Sequence, residues 1–225
     1  MLTIHAADAV LTGGADLGAL PDPGRGPAAV AVDTGLIVAI GPYAELTAER
    51  PSARVRRWPG LLLPGLRAPG AAELLEAAYH PDPREADALG TEPVTGAALT
   101  ALGLDGTGWG GSARRGLQRL LAHGCTAVVG PFTRPPVRTA VTRSGLRVRE
   151  PGALPEAGAG TPALDPLSAY PPHALLDGGL TVGGPADFAV FGIPRDEPPA
   201  RALARLGGAS CVATVLGGRL LHRRS

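Results

Sequence analysis

The chain contains no lysine; all 21 of its basic residues are arginine. That absence excludes Schiff-base catalysis, a phosphate-binding P-loop, and a carboxylated lysine bridging two metals, because each needs an amine. Asparagine is also missing, so no N-glycosylation acceptor exists. Charge of one sign is not in excess: the formal net charge is +1, which gives no bulk attraction to a polyanion and argues against nucleic acid as a partner. Only two cysteines occur, Cys125 and Cys211, each in an apolar stretch that reads as a strand. Their spacing suggests neither a disulfide framework nor a zinc site, and buried thiols in a reducing compartment are expected. No apolar run approaches the roughly 18 residues of a membrane span, and Met1-Leu2-Thr3-Ile4-His5 has no basic leader character. The expectation is a cytoplasmic protein with no membrane partner.

What is present is a globular composition, 44% hydrophobic and 18% charged, with 33 glycines and 24 prolines that imply many turns. Residues 1 to 58 read as short strands: Leu2–His5, Asp8–Leu11, Ala28–Val32, Leu36–Ile40 and Arg54–Arg57, with Ala44–Glu49 as one or two helical turns. Asp33-Thr34-Gly35 marks a hairpin, because glycine supplies the positive φ of a tight connection. The stretch from Gly13 to Pro27 reads as an exposed loop. The unbroken apolar run Leu61-Leu62-Leu63, closed by Pro64-Gly65-Leu66, reads as a strand buried on both faces, such as opens a parallel α/β sheet.

A helix is expected over Pro69–Tyr79, stopped by Pro81, followed by an irregular segment from His80 to Gly111. Within it Gly106-Thr107-Gly108-Trp109-Gly110-Gly111 reads as a flexible loop pinned by Trp109. Ser112 is the expected N-cap of the next helix, which ends at Gly124. Cys125–Gly130 is a second buried strand, Val137–Gly145 an amphipathic helix and Leu146–Arg149 a third short strand. Glu150 to Pro172 shows no regular element, one turn is expected at Ala174–Asp177, and Ala200–Leu206 is a short helix. Gly217-Gly218 is a two-residue turn between apolar strands, a second hairpin.

Several of these stretches resemble the amidohydrolase superfamily. Ala7-Asp8-Ala9-Val10-Leu11-Thr12 and Ala31–Gly41 resemble the amino-terminal half of the composite β-sandwich that accompanies barrels of the imidazolonepropionase and aminodeoxyfutalosine deaminase type. Gly183-Gly184-Pro185-Ala186-Asp187-Phe188 and the hairpin about Gly217-Gly218 are similar to its carboxyl-terminal half. Pro64-Gly65-Leu66 resembles the end of the family's first barrel strand, and residues 120 to 129 resemble its first helix and second strand. The resemblance implies an α+β fold: a composite sandwich from residues 1–58 and 180–225, with 59–179 as a truncated, incomplete TIM-barrel-like α/β remnant. A closed barrel takes about 250 residues, so this interval cannot enclose one.

In the family's register a metal-binding His-x-His pair follows the first strand. Here Gly70 and Ala72 stand in those positions, and His5, His80, His123, His173 and His222 show no pairing at i+2 or i+4. No metal and no other cofactor is therefore expected. The remaining candidate chemistry is His80-Pro81-Asp82-Pro83, where two prolines hold an imidazole and a carboxylate in extended chain; His80 with Asp82 would serve as a general base, joined by Glu73, Glu76 or Glu85, each of which also reads as solvated helix-face charge. The same peptide also reads as a helix-stop loop whose side chains cap backbone groups. His123, in the last turn of its helix, is expected to bond terminal carbonyls.

Three functions stay open on these residues: a metal-free accessory or scaffold subunit, a hydrolase of a non-peptide C–N bond in a small heterocyclic or nucleoside-like substrate, and a small-molecule binding module. An open parallel sheet leaves an unpaired edge, for which a homodimer is the expected cover.

Overall fold

A computed structural model describes residues 1–19, 26–152 and 163–224. Its elements in chain order are β1 (Thr3–Ala7), β2 (Ala9–Val10), β3 (Ala28–Asp33), β4 (Leu36–Pro42), α1 (Tyr43–Glu49), β5 (Arg54–Arg57), β6 (Leu61–Pro64), β7 (Leu66–Ala68) and α2 (Ala71–Glu76). They continue with α3 (Ala86–Leu89), α4 (Gly96–Ala101), α5 (Gly106–Ala122), β8 (Cys125–Val129), α6 (Pro135–Ser144), β9 (Arg147–Arg149), α7 (Pro172–Leu175), β10 (Phe188–Phe191), α8 (Pro199–Leu206), β11 (Cys211–Leu216) and β12 (Arg219–Arg223). Short 3-10 turns lie at Ala15–Gly18, Pro83–Glu85, Pro166–Ser168 and Gly208–Ser210.

The strands form three sheets and no closed barrel among the described residues. The first, in order β4-β3-β1-β5, comes from the amino-terminal end alone. The second, β12-β11-β10-β6-β2, joins strands from both ends of the chain. The third, β7-β8-β9, is a short parallel sheet. The α+β class and the composite sandwich read from the sequence are what the chain adopts.

Both hairpins form at the expected residues. Thr34 and Gly35 take φ of 49° and 88°, and Gly217 and Gly218 take 54° and 72°, the paired left-handed conformations that match strand twist. The two tips meet: a Cβ on Gly35 would lie 3.0 Å from the Gly217 carbonyl oxygen, so only glycine fits there. Between them Asp187 Oδ1 accepts from Gly217 N at 2.6 Å, and Ala186 N donates to Gly35 O at 2.9 Å. The Ala-Asp dipeptide thus fastens the carboxyl-terminal hairpin to the amino-terminal one.

The apolar run at Leu61–Leu63 is placed differently from the sequence expectation. It does not open the parallel sheet. β6 pairs antiparallel with β10 and parallel with β2, and the parallel sheet begins only after Gly65, at β7. The reason it is apolar throughout is that the second sheet is a middle layer. Leu62, Phe188 and Val190 point into the sandwich core with Val30, Val32 and Ile37. Leu61, Leu63, Ala189 and Phe191 point the other way, into a core shared with Leu66, Leu117, Leu120 and Cys125. Successive side chains alternate between faces, so a strand covered on both sides has no polar position to offer.

The segment read as irregular is partly helical. α5 starts at Gly106, not near Ser112, because Asp105 caps it: Oδ1 accepts from Gly108 N at 2.7 Å. The glycine-rich stretch is its first two turns rather than a loop. Ser112 lies inside the helix, fully buried, where its hydroxyl accepts from His80 N at 2.9 Å. The helix expected over Pro69–Tyr79 is shorter, Ala71–Glu76. Of the Gly13–Pro27 and Glu150–Pro172 tracts, residues 20–25 and 153–162 lie outside the described residues.

Both cysteines are buried and unpaired, and burial pushes each thiol up, Cys211 to about 11. Both stay protonated and unreactive near neutrality. Beside Cys125, the hydroxyl of fully buried Thr126 has no partner among the described residues. Thr126→Val keeps the shape and removes that unmet polar group. Denaturant unfolding is expected to show it equally stable or up to about 1 kcal/mol more stable than the parent, and a loss larger than that would mean the hydroxyl is satisfied.

Candidate functional site

In an α/β sheet, ligands gather beyond the carboxyl ends of the strands. Here that rim is formed by the turn after β7, the loop from β8 to α6, and the chain after β9. After β7 come Pro69 and Gly70, with Gly70 as the residue preceding α2 and Ala72 in its first turn. Glycine and alanine offer no donor atoms at the two positions where the resemblance calls for imidazoles. Among the described residues no group of three or more His, Cys, Asp or Glu side chains is arranged to hold an ion. The residues present do not fit the family's metal.

The face of the parallel sheet that would look into a barrel carries Arg67, Arg147 and Arg149, which share a face by register with Ala127 and Val129. Arg67 donates to Ala174 O at 2.7 and 3.0 Å. Arg147 pairs with Asp187 at 2.8 Å, and Arg149 grips both oxygens of Asp177 at 2.8 and 2.9 Å. The chain returning through α7 thereby covers the inner face, held by Asp177 N donating to Gly65 O at 2.8 Å.

On the rim itself Glu76 binds the β8–α6 loop. Its carboxylate accepts from Thr133 N, Thr133 Oγ1 and Arg134 N at 2.6 to 2.8 Å. Arg134 lies over the Trp109 ring at 4.1 Å.

His80 and Asp82 do not form a dyad. The His80 ring is buried against α5 at Gly116, where a Cβ would lie 2.7 Å from Nε2, so the close approach requires glycine. Nε2 lies 2.9 Å from Leu74 O. A carbonyl only accepts, so Nε2 carries the proton and Nδ1 is left as a buried acceptor with no partner among the described residues. Burial, reinforced by Arg119 and Arg115, lowers its pKa, so the ring is neutral.

Asp82 caps the 3-10 turn instead. Its Oδ1 accepts from Arg84 N at 3.1 Å while Glu85 Oε2 accepts from Asp82 N at 2.7 Å, a reciprocal capping box. Its other oxygen lies 3.5 Å from Arg115, whose Nε donates to the His80 carbonyl at 2.7 Å. The Tyr79 hydroxyl donates to Glu85 and holds that carboxyl below its usual range. Arg115, absent from the sequence reading, fixes this loop together with Glu85 and with Ser112, which was read there as an N-cap.

Glu73 is exposed on α2 and lines a cavity of about 470 Å³ with Leu74, Ala77, Glu92, Pro93 and Leu164. His80 and Asp82 do not line that cavity. His123 takes its expected place at the end of α5, its Nδ1 2.8 Å from Arg119 O. His80, Asp82, Glu73 and His123 thus do not converge on one cavity.

No protein-family model and no curated protein matches the chain. Solved structures with similarity include Helicobacter pylori aminofutalosine deaminase, at 18% identity over 71% of this chain and 35% of that one, TM-score 0.42. A molinate hydrolase matches at 21% over 70% of this chain and 31% of its own, TM-score 0.43. An amidohydrolase from a Sargasso Sea environmental sample matches at 23% over 67% and 33%, TM-score 0.40. The chain spans about a third of the length of each of these structures.

Proposed function

We propose that this chain is a metal-free amidohydrolase relative acting as an accessory or scaffold subunit. The observation that carries the reading is the turn after β7. The sandwich half of the resemblance is kept down to its hairpin contacts, while Gly70 and Ala72 occupy the positions of the chelating pair and three arginines occupy the inner face of the sheet. Arginine is always charged and ligates no metal.

The alternative, hydrolysis of a C–N bond by His80 and Asp82, has less support. It requires the carboxylate to leave a complete capping box and the imidazole to leave a buried position. A small-molecule ligand would have room in the cavity of about 470 Å³ beside Glu73 or in one of about 560 Å³ lined by Asp8, Val10, Ile40 and Tyr43.

Zinc titration tests the proposal. The purified protein, stripped with chelator and dialysed against micromolar zinc, is expected to retain far less than one equivalent and to release no ammonia from amino-substituted heterocycles. One tightly held equivalent, or zinc-dependent ammonia release, would overturn it.

The scaffold reading includes self-association across the free side of β9, where Val148 is 53% exposed. Light scattering at micromolar concentration is expected to give twice the 22.7 kDa chain mass. A monomer would remove that part of the proposal.

A further inference from the structure

Sandwich interiors are apolar where two sheets face each other. On one side of this sandwich, between edge strands β5 and β12, the inward positions are arginines. Arg56 lies opposite His5 in the β1–β5 register, and Arg54 is two residues away on the same face. His5 points at the other sheet: its ring meets Phe188 edge-on at 5.0 Å, and its Nδ1 accepts from Trp58 Nε1 at 3.3 Å. From the second sheet, Arg223 lies opposite Ala213, whose side chain is in the sandwich core. Its guanidinium sits 5.9 Å from the Trp58 ring. Three guanidiniums, two from one sheet and one from the other, therefore line a single mouth floored by His5 and Trp58.

Six arginines, Arg50, Arg115, Arg119, Arg147, Arg149 and Arg205, each meet a carboxylate. Among the described residues Arg54, Arg56 and Arg223 form no ion pair. Burial together with the nearness of Arg54 and Arg223 lowers the pKa of Arg56, yet a guanidinium does not discharge near neutrality. Arg54 and Arg223 are exposed and Arg56 is half-buried, and an anion held between them would relieve the repulsion that solvent leaves.

We propose that this mouth is a binding site for a small, multiply charged oxyanion of the phosphate class. Forked guanidiniums on two sides match the several free oxygens and double charge of a phosphate, whereas a lone carboxylate would leave most of the local positive charge unanswered. The net charge of +1 provides no long-range field for a nucleic acid. The site lies between β5 and β12 of the sandwich, not on the rim of the parallel sheet, and stands independently of the scaffold reading.

The test uses the full chain with Trp109→Phe, so that Trp58 alone reports. Titration with inorganic phosphate, pyrophosphate and a nucleoside monophosphate is expected to change Trp58 fluorescence saturably, with pyrophosphate tighter than phosphate. Arg56→Gln and Arg223→Gln should each weaken binding at least tenfold, and Arg201→Gln, at an exposed position of α8, should not. A nucleoside monophosphate tenfold tighter than phosphate identifies a phosphomonoester ligand; equal affinities identify the free anion. On the unmutated chain, saturating pyrophosphate should raise the pKa of His5, followed by nuclear magnetic resonance. A response matched by sodium chloride at equal ionic strength, or unchanged in both arginine variants, would overturn the proposal.

Discussion

Gly65→Ala is expected to prevent stable folding. Gly65 joins the middle sheet to the parallel sheet, and a Cβ there would lie 2.0 Å from Thr126 Oγ1, 2.2 Å from its Cγ2 and 2.6 Å from its Cβ. Thr126 is fully buried inside β8, so neither its side chain nor its backbone can give way. The constraint is close packing rather than backbone conformation, because Gly65 is not among the positive-φ glycines. Overpacking a rigid core costs about 3 kcal/mol or more, a large part of the roughly 5–15 kcal/mol that holds a domain together. Denaturant unfolding followed by tryptophan fluorescence should show a collapsed midpoint or no transition. Adding Thr126→Gly to Gly65→Ala should recover much of the loss; if it does not, the overlap is not the cause.

Stability is expected to fall steeply in mild acid, with His5 as the largest single source. His5 is 1% exposed, and burial, followed by Arg56 and Arg54, lowers its pKa to about 4 from 6.5. The indole N–H can only donate, so Nδ1 must stay unprotonated to accept it, and protonation breaks the bond as well as placing a charge beside two arginines. The unfolded chain takes up the proton below pH 6.5 and the folded one only near 4. The stability is therefore complete above 6.5 and is lost as pH falls from 6.5 to 4. A shift from 6.5 to about 4 corresponds to about 3 kcal/mol. His80 and His222, both lowered chiefly by burial, add in the same direction. His5→Gln keeps an acceptor for Trp58 without a titrating group. Its unfolding free energy should fall distinctly less between pH 7 and pH 4 than that of the parent; equal slopes would contradict the assignment.

The hairpins were legible because their signal is local: a tight turn needs positive φ, and glycine stands where it is needed. The strand at Leu61–Leu63 was legible as a strand buried on both faces but not as a member of a particular sheet. Two-sided burial looks the same whether the covering layers are helices or a second sheet. The start of α5 was hidden because four glycines oppose helix formation intrinsically, and packing against α6 and α2 overrides them. At the candidate site, the rigid His80–Pro83 peptide invited a dyad. The acid three residues after Asp82, Glu85, was the better signal, since that spacing marks a capping box. The arginine mouth had no local signature at all. Arg54, Arg56 and Arg223 come from opposite ends of the chain and meet only when the edge strands of two sheets face each other.

That meeting of the two ends in one middle sheet is the claim on which the placement of every residue above depends, and amide hydrogen exchange tests it directly. The backbone amides of β6, β10 and β11 are expected to be the slowest in the protein and to exchange together with a single opening free energy, despite their separation in sequence. If the amides of β10 and β11 exchange fast, or open independently of β6, the carboxyl-terminal strands are not part of that sheet and the account fails.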